Sequence, residues 1–108
     1  MAEIFEPIES GSRLNRPVAV FDSGVGGVSV LRELVRVMPK EHFYFYGDSM
    51  NAPYGTKSKY EVLQLTRDHV EHFIDSGAKG VCIACNTATS AAVRKLRLEY
   101  PDFPIVGI

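Results

Sequence analysis

The sequence predicts an α/β fold of the flavodoxin-like kind, a parallel sheet with helices on both faces. Three observations predict it. Strand-like and helix-like segments alternate from residue 16 to the end of the chain. The strand segments are apolar throughout instead of alternating apolar with polar, as in strands covered on both sides. Glycines, prolines and helix-capping residues mark the segment ends. With 108 residues, 45% of them hydrophobic, the chain can build one such domain and not two.

Arg16 to Phe21 reads as a buried first strand, closed by Asp22-Ser23-Gly24. Gly26-Gly27 opens a helix that carries Val28, Leu31, Leu34, Val35 and Met38 on one face, and Pro39 stops it. His42 to Tyr46 is a second strand, ended by Gly47-Asp48. A turn-rich loop from Ser49 to Lys57 contains Asn51-Ala52-Pro53-Tyr54-Gly55. Ser58 begins a second helix, and Glu61 completes a capping box. Leu63, Val70, Phe73 and Ile74 supply its apolar side, and Gly77 ends it. Residues 79–84 form a third strand. A third helix follows from Thr87 to Tyr100 and stops at Pro101. Phe103 to Ile108 is a fourth strand. Ending on a strand leaves one sheet face short of a helix. Residues 17–108 therefore read as an incomplete N-terminal α/β domain behind a flexible tail, residues 1–16.

Composition narrows the function classes. A net charge of -1 gives no broad attraction to nucleic acid or to an acidic membrane surface. No apolar run approaches the roughly 20 residues of a membrane helix. The charges at Glu3, Glu6, Glu9, Arg13 and Arg16 argue against a secretory signal, so a cytoplasmic protein is expected. Cys82 and Cys85 are too few for a disulfide framework. As a C-x-x-C pair they fit poorly to a redox dithiol, because Cys82 falls inside a strand. No second pair completes a zinc site. His69 and His72, with Asp68 and Glu71 beside them, read as a solvated helix face rather than a metal site. A phosphatase loop of the Cys-x5-Arg type fails because position 91 is Ala91.

Right-handed crossovers favour the strand order 2-1-3-4. Ligands of such sheets bind beyond the carboxyl ends of the strands, where the winding reverses. Three polar loops should meet there. They are Asp22 to Gly27, the loop with Asp48 and Tyr54-Gly55, and Cys85-Asn86-Thr87. Cys85 stands between a strand end and a helix start, where the backbone field favours a reactive thiolate. Each loop also has a plainer reading. Asp22-Ser23 can be a cap and turn, Tyr54-Gly55 a turn, and Cys85 a small buried hydrophobe. A competing function is a non-catalytic, Rossmann-like dinucleotide-binding module. Gly24-Val25-Gly26-Gly27-Val28-Ser29 would cradle the pyrophosphate, and Asp48 would bind a ribose. That reading puts the Asp22 carboxylate beside a pyrophosphate and leaves Tyr54-Gly55 and Cys85-Asn86-Thr87 without a task.

Taken together, Phe21-Asp22-Ser23-Gly24-Val25-Gly26-Gly27, Gly47-Asp48-Ser49 with Ala52-Pro53-Tyr54-Gly55, and Ala84-Cys85-Asn86-Thr87-Ala88-Thr89 resemble the motifs of glutamate racemases. These belong to the cofactor-independent aspartate/glutamate racemase family, and the resemblance covers residues 17–108. It implies two similar α/β domains with glutamate held between them and no cofactor. It implies interconversion of L- and D-glutamate, supplying D-glutamate for bacterial peptidoglycan. Asp22-Ser23, Tyr54-Gly55 and Asn86-Thr87 correspond to substrate-binding pairs, and Cys85 to the proton donor/acceptor of the first domain. Asp22 is a further candidate, as a proton relay to Cys85. Racemisation needs a base on one face of the α-carbon and an acid on the other. The family uses two cysteines for this, one per domain. Cys82 cannot stand in for the second, because it shares a strand with Cys85. The chain alone is therefore expected to be inactive. Its sheet edge and uncovered face would allow a homodimer.

Overall fold

A computed structural model describes residues 15–24 and 26–108. Most of the predicted tail, residues 1–14, lies outside them. The apolar stretches pair into one parallel sheet: β1 (Val18–Asp22), β2 (Phe43–Gly47), β3 (Gly80–Ile83) and β4 (Ile105–Gly107). Their order is β2-β1-β3-β4, as the crossover argument predicts. Val18 lies opposite both Phe43 and Gly80, so the carboxyl ends of β1, β2 and β3 come out at one level. β1 starts at Val18 rather than Arg16 and runs through Asp22, which makes Asp22 the last strand residue rather than the first of a turn.

The helices are α1 (Val28–Val37), α2 (Lys59–Asp75), α3 (Asn86–Ala88) and α4 (Arg94–Glu99). A π-helical segment, Thr89–Val93, joins the last two without leaving helical dihedrals, so the single predicted helix is one rod with a widened turn. Two 3-10 turns, Ser49–Asn51 and Tyr54–Thr56, flank the cis Ala52–Pro53 peptide in the loop after β2.

The main core lies between the sheet and the α2 and α3–α4 layer. Phe21, Tyr44 and Ile83 meet Val70 and Phe73 of α2 and Leu96 of α4 there. α2 begins with the predicted capping box, in which Ser58 Oγ accepts the Glu61 N–H at 3.1 Å. It gives way at Gly77, whose φ of 93° suits glycine alone. Its inward face is Val62, Thr66, Val70 and Phe73. Leu63 and Ile74, expected there, are half-buried. Thr66 is tolerated because its hydroxyl donates to the Val62 carbonyl at 2.7 Å.

α1 lies on the opposite face, packed against β2, and none of its residues is buried. Its apolar periodicity marks the helix correctly but not its burial. Leu34 and Met38 instead form one wall of an apolar groove of ≈ 540 Å³ whose floor includes Val18, Cys82 and Val106. Burial raises the Cys82 thiol pKa above its ordinary value, which fits the packing role read from the sequence.

Candidate functional site

The loop after β1 folds back on itself. Asp22 Oδ2 accepts the Gly27 N–H at 2.8 Å, and the Asp22 carbonyl accepts the Asp48 N–H at 2.9 Å. This closure needs bare backbone. A Cβ on Gly27 would stand 2.9 Å from Asp22 Cβ and 3.0 Å from Ala84 Cβ. A Cβ on Gly47 would collide with the Gly24 carbonyl oxygen. The glycines at the end of β2 and after β1 thus let the first loop sit directly over the second strand.

Cys85 follows β3 and is itself the N-cap of α3. Its Sγ accepts the Ala88 N–H at 3.4 Å and its thiol donates to Ser23 Oγ at 3.5 Å. The residue is 7% exposed. It is therefore both part of the core, as its plainer reading holds, and directed at a polar neighbour from another loop. Ser23 and Thr87 are half-buried and Asn86 is exposed.

The loop after β2 is organised by Asp48, which is 4% exposed. Its Oδ2 accepts the Tyr54 hydroxyl at 2.6 Å and His69 Nε2 at 2.9 Å, and Asn51 Nδ2 lies 3.0 Å from both oxygens. Burial opposes ionisation of Asp48, but the hydrogen bonds from Tyr54, His69 and Asn51 outweigh it and hold its carboxyl below the ordinary range. Burial first, and the adjacent carboxylate second, push the Tyr54 phenol well above its usual value. Tyr54 packs beside Phe21, with ring centroids 6.2 Å apart, and its hydroxyl is already bonded. What this turn offers a ligand is its backbone and Gly55, which is exposed with open space above it. The turn packs on the start of α3, beside Cys85.

The three predicted loops therefore meet at the carboxyl end of the sheet. Asp22 does so with one oxygen held by Gly27. His69 corrects the solvated-face reading: its ring lies 5.0 Å from both Phe21 and Tyr46 and its Nε2 faces Asp48, whereas His72 is exposed. The signal was present in the helical register, since His69 continues the inward stripe of Val62, Thr66 and Phe73. Lys57 and Lys59 are further residues beside the site that no motif marks. With Asn86, Thr87 and Ser90 they line an open depression of ≈ 380 Å³ next to the α3 start. The dinucleotide reading loses its ribose ligand, because the Asp48 oxygens are taken by Tyr54, His69 and Asn51. Among the described residues no group of three or more His, Cys, Asp or Glu side chains could hold a metal, and no helix is long and apolar enough to cross a membrane.

Comparison with known proteins gives a consistent picture. No family model matches the chain. It is 58% identical over 92 residues to the glutamate racemase of Clostridium novyi and 56% identical over 92 residues to that of Bifidobacterium adolescentis. These matches cover 85% of this chain, but the chain spans only 36% and 35% of the two relatives. Among solved structures, it is similar to a Thermus thermophilus glutamate racemase in complex with β-chloro-D-alanine. The TM-score is 0.82 at 39% identity, covering 86% of this chain and 36% of that one. It is also similar to a Francisella tularensis glutamate racemase in complex with D-glutamate, with a TM-score of 0.80 at 33% identity, covering 86% and 35%.

Proposed function

The chain is homologous to the glutamate racemases, and from that premise we propose that it carries the Cys85 half of a glutamate racemase active site. The observation that supports this best is the Ser23–Cys85–Ala88 cluster, a thiol bonded to a hydroxyl from a neighbouring loop at the mouth of a parallel sheet. As thiolate, the sulfur would keep the Ala88 N–H, and Ser23 would turn its hydroxyl to donate. The same sulfur would take the α-proton from one face of glutamate. Ser23, Asn86, Thr87 and the backbone at Gly55 would hold the substrate's carboxylates and ammonium group without a full opposing charge. Asp22, with one oxygen free of the Gly27 bond, would help pass the proton to bulk water.

A planar carbanion must be reprotonated from its other face, which one thiol cannot reach. The second acid, in this reading a second cysteine, belongs to a further domain like this one. The whole protein would then be a cytoplasmic isomerase supplying D-glutamate for peptidoglycan. The test is conversion of L-glutamate to D-glutamate, followed by chiral chromatography. The 108-residue chain alone should form none above buffer. Sustained D-glutamate formation by the chain alone would sink the two-sided mechanism.

A further inference from the structure

We propose that His69 is a positioning residue for the candidate site, clamping the Tyr54–Gly55 turn through Asp48. The inference rests on the reading of that turn as substrate-facing, and it adds a residue from α2 that no motif contains. The geometry is a chain of four contacts. The His69 ring is gripped between Phe21 and Tyr46, at 5.0 Å from each, so it has little rotational freedom. Its Nε2 lies 2.9 Å from Asp48 Oδ2. The same oxygen accepts the Tyr54 hydroxyl at 2.6 Å. Tyr54 in turn begins the 3-10 turn that contains Gly55 and rests on the start of α3.

Direction follows from the acceptor. An ionised Asp48 only accepts hydrogen bonds, so Nε2 must carry the hydrogen and donate. The donor sits in the middle of a helix 17 residues long, with Val70 and Phe73 buried beside it. Asp48 therefore has a rigid reference on one side and the turn on the other. Its backbone N–H adds a third tie, to the carbonyl of Asp22. Asn51 also reaches the carboxylate, but from within the same loop, so it cannot fix that loop to the sheet or to α2. The one link from α2 to this carboxylate among the described residues is His69.

Packing alone and donation can be separated. His69→Phe keeps an aromatic ring between Phe21 and Tyr46 and removes the donor. His69→Gln keeps a terminal N–H donor and removes the ring. If donation to Asp48 positions the turn, His69→Gln should resemble the parent, and His69→Phe should loosen Tyr54, Gly55 and Thr56. The measurement is 15N heteronuclear relaxation on the 108-residue chain, with L-glutamate titrated in and amide shifts followed. In His69→Phe the order of residues 54–56 should fall while Asn86 and Thr87 stay as in the parent. Apparent glutamate affinity read at Gly55 should weaken about fivefold, the weight of one hydrogen bond. Equal order at residues 54–56 in the parent and His69→Phe overturns the clamp. A loosened turn in His69→Phe with no glutamate shift in the parent upholds the clamp and overturns the substrate reading instead. If His69→Phe does not fold, Tyr54→Phe cuts the same path at its other end, and its turn order decides the question in the same way.

Discussion

Two regions at the carboxyl end of this sheet use their polar residues in opposite ways. In the loop after β2, the Tyr54 hydroxyl and His69 Nε2 both bond the buried Asp48 carboxylate. In the loops after β1 and β3, the Cys85 sulfur has one weak partner on each side, and Ser23, Thr87 and Asn86 keep exposure. The first arrangement resists change because loss of the shared Asp48 acceptor leaves the buried Tyr54 hydroxyl without its partner. The second leaves donors and acceptors for something outside the protein. A polar residue at a strand end is thus scaffold or working group according to whether its partners are internal.

The contrast predicts a ranking of stability losses under urea. Asp48→Ala should cost the most, about 3 kcal/mol, because it strands the Tyr54 hydroxyl and His69 together. A loss no larger than that of an ordinary surface change would break the comparison. Gly47→Ala should follow at about 2 kcal/mol, since its methyl meets the Gly24 carbonyl and forces the first loop off the second strand. Tyr54→Phe should cost about 1.5 kcal/mol by removing one bond to a charged acceptor. Ser23→Ala, in the other region, should shift stability by less than about 0.5 kcal/mol. A Ser23→Ala loss equal to that of Tyr54→Phe would mean that the two regions do not differ.

Acid sharpens the same comparison. Asp48 ionises more readily in the folded chain than its ordinary value of 3.8 allows. Its stabilising effect is therefore complete above that value and is lost as pH falls through the lower, folded-state value. The stability gap between the parent and Asp48→Asn should stay constant from neutral pH down to the ordinary carboxylate range and narrow below it. A gap that widened in acid would show that the carboxylate is not held by these donors.

How far the sequence could be read differs between the same two regions. The parallel order and the Ser58–Glu61 box follow from local rules, namely apolar strand runs, crossover handedness and cap chemistry. The meeting of Ser23 with Cys85 followed from topology, because both stand at carboxyl ends of adjacent strands. The Asp48–His69 bond spans 21 residues and depends on the rotation of α2, which a shift of one residue would turn by about 100°. Histidine counts as polar, so the more apolar Leu63 and Ile74 mask the stripe Val62, Thr66, His69, Phe73 in the sequence. The predicted helix α1 is present, but its burial was not legible. Apolar periodicity says which face of a helix could be buried, and only the rest of the fold says whether anything covers it.

The claim that Cys85 moves the α-proton of glutamate is tested most directly in a chimaera. It would join this chain to the portion of the Clostridium novyi relative that the chain does not span. With Cys85 in place, the chimaera should incorporate deuterium at the α-carbon of both L- and D-glutamate. Cys85→Ser should lower that rate by at least about a hundredfold, as for loss of a positioned acid/base group. A Cys85→Ser chimaera that folds and exchanges at the rate of its parent would contradict the account.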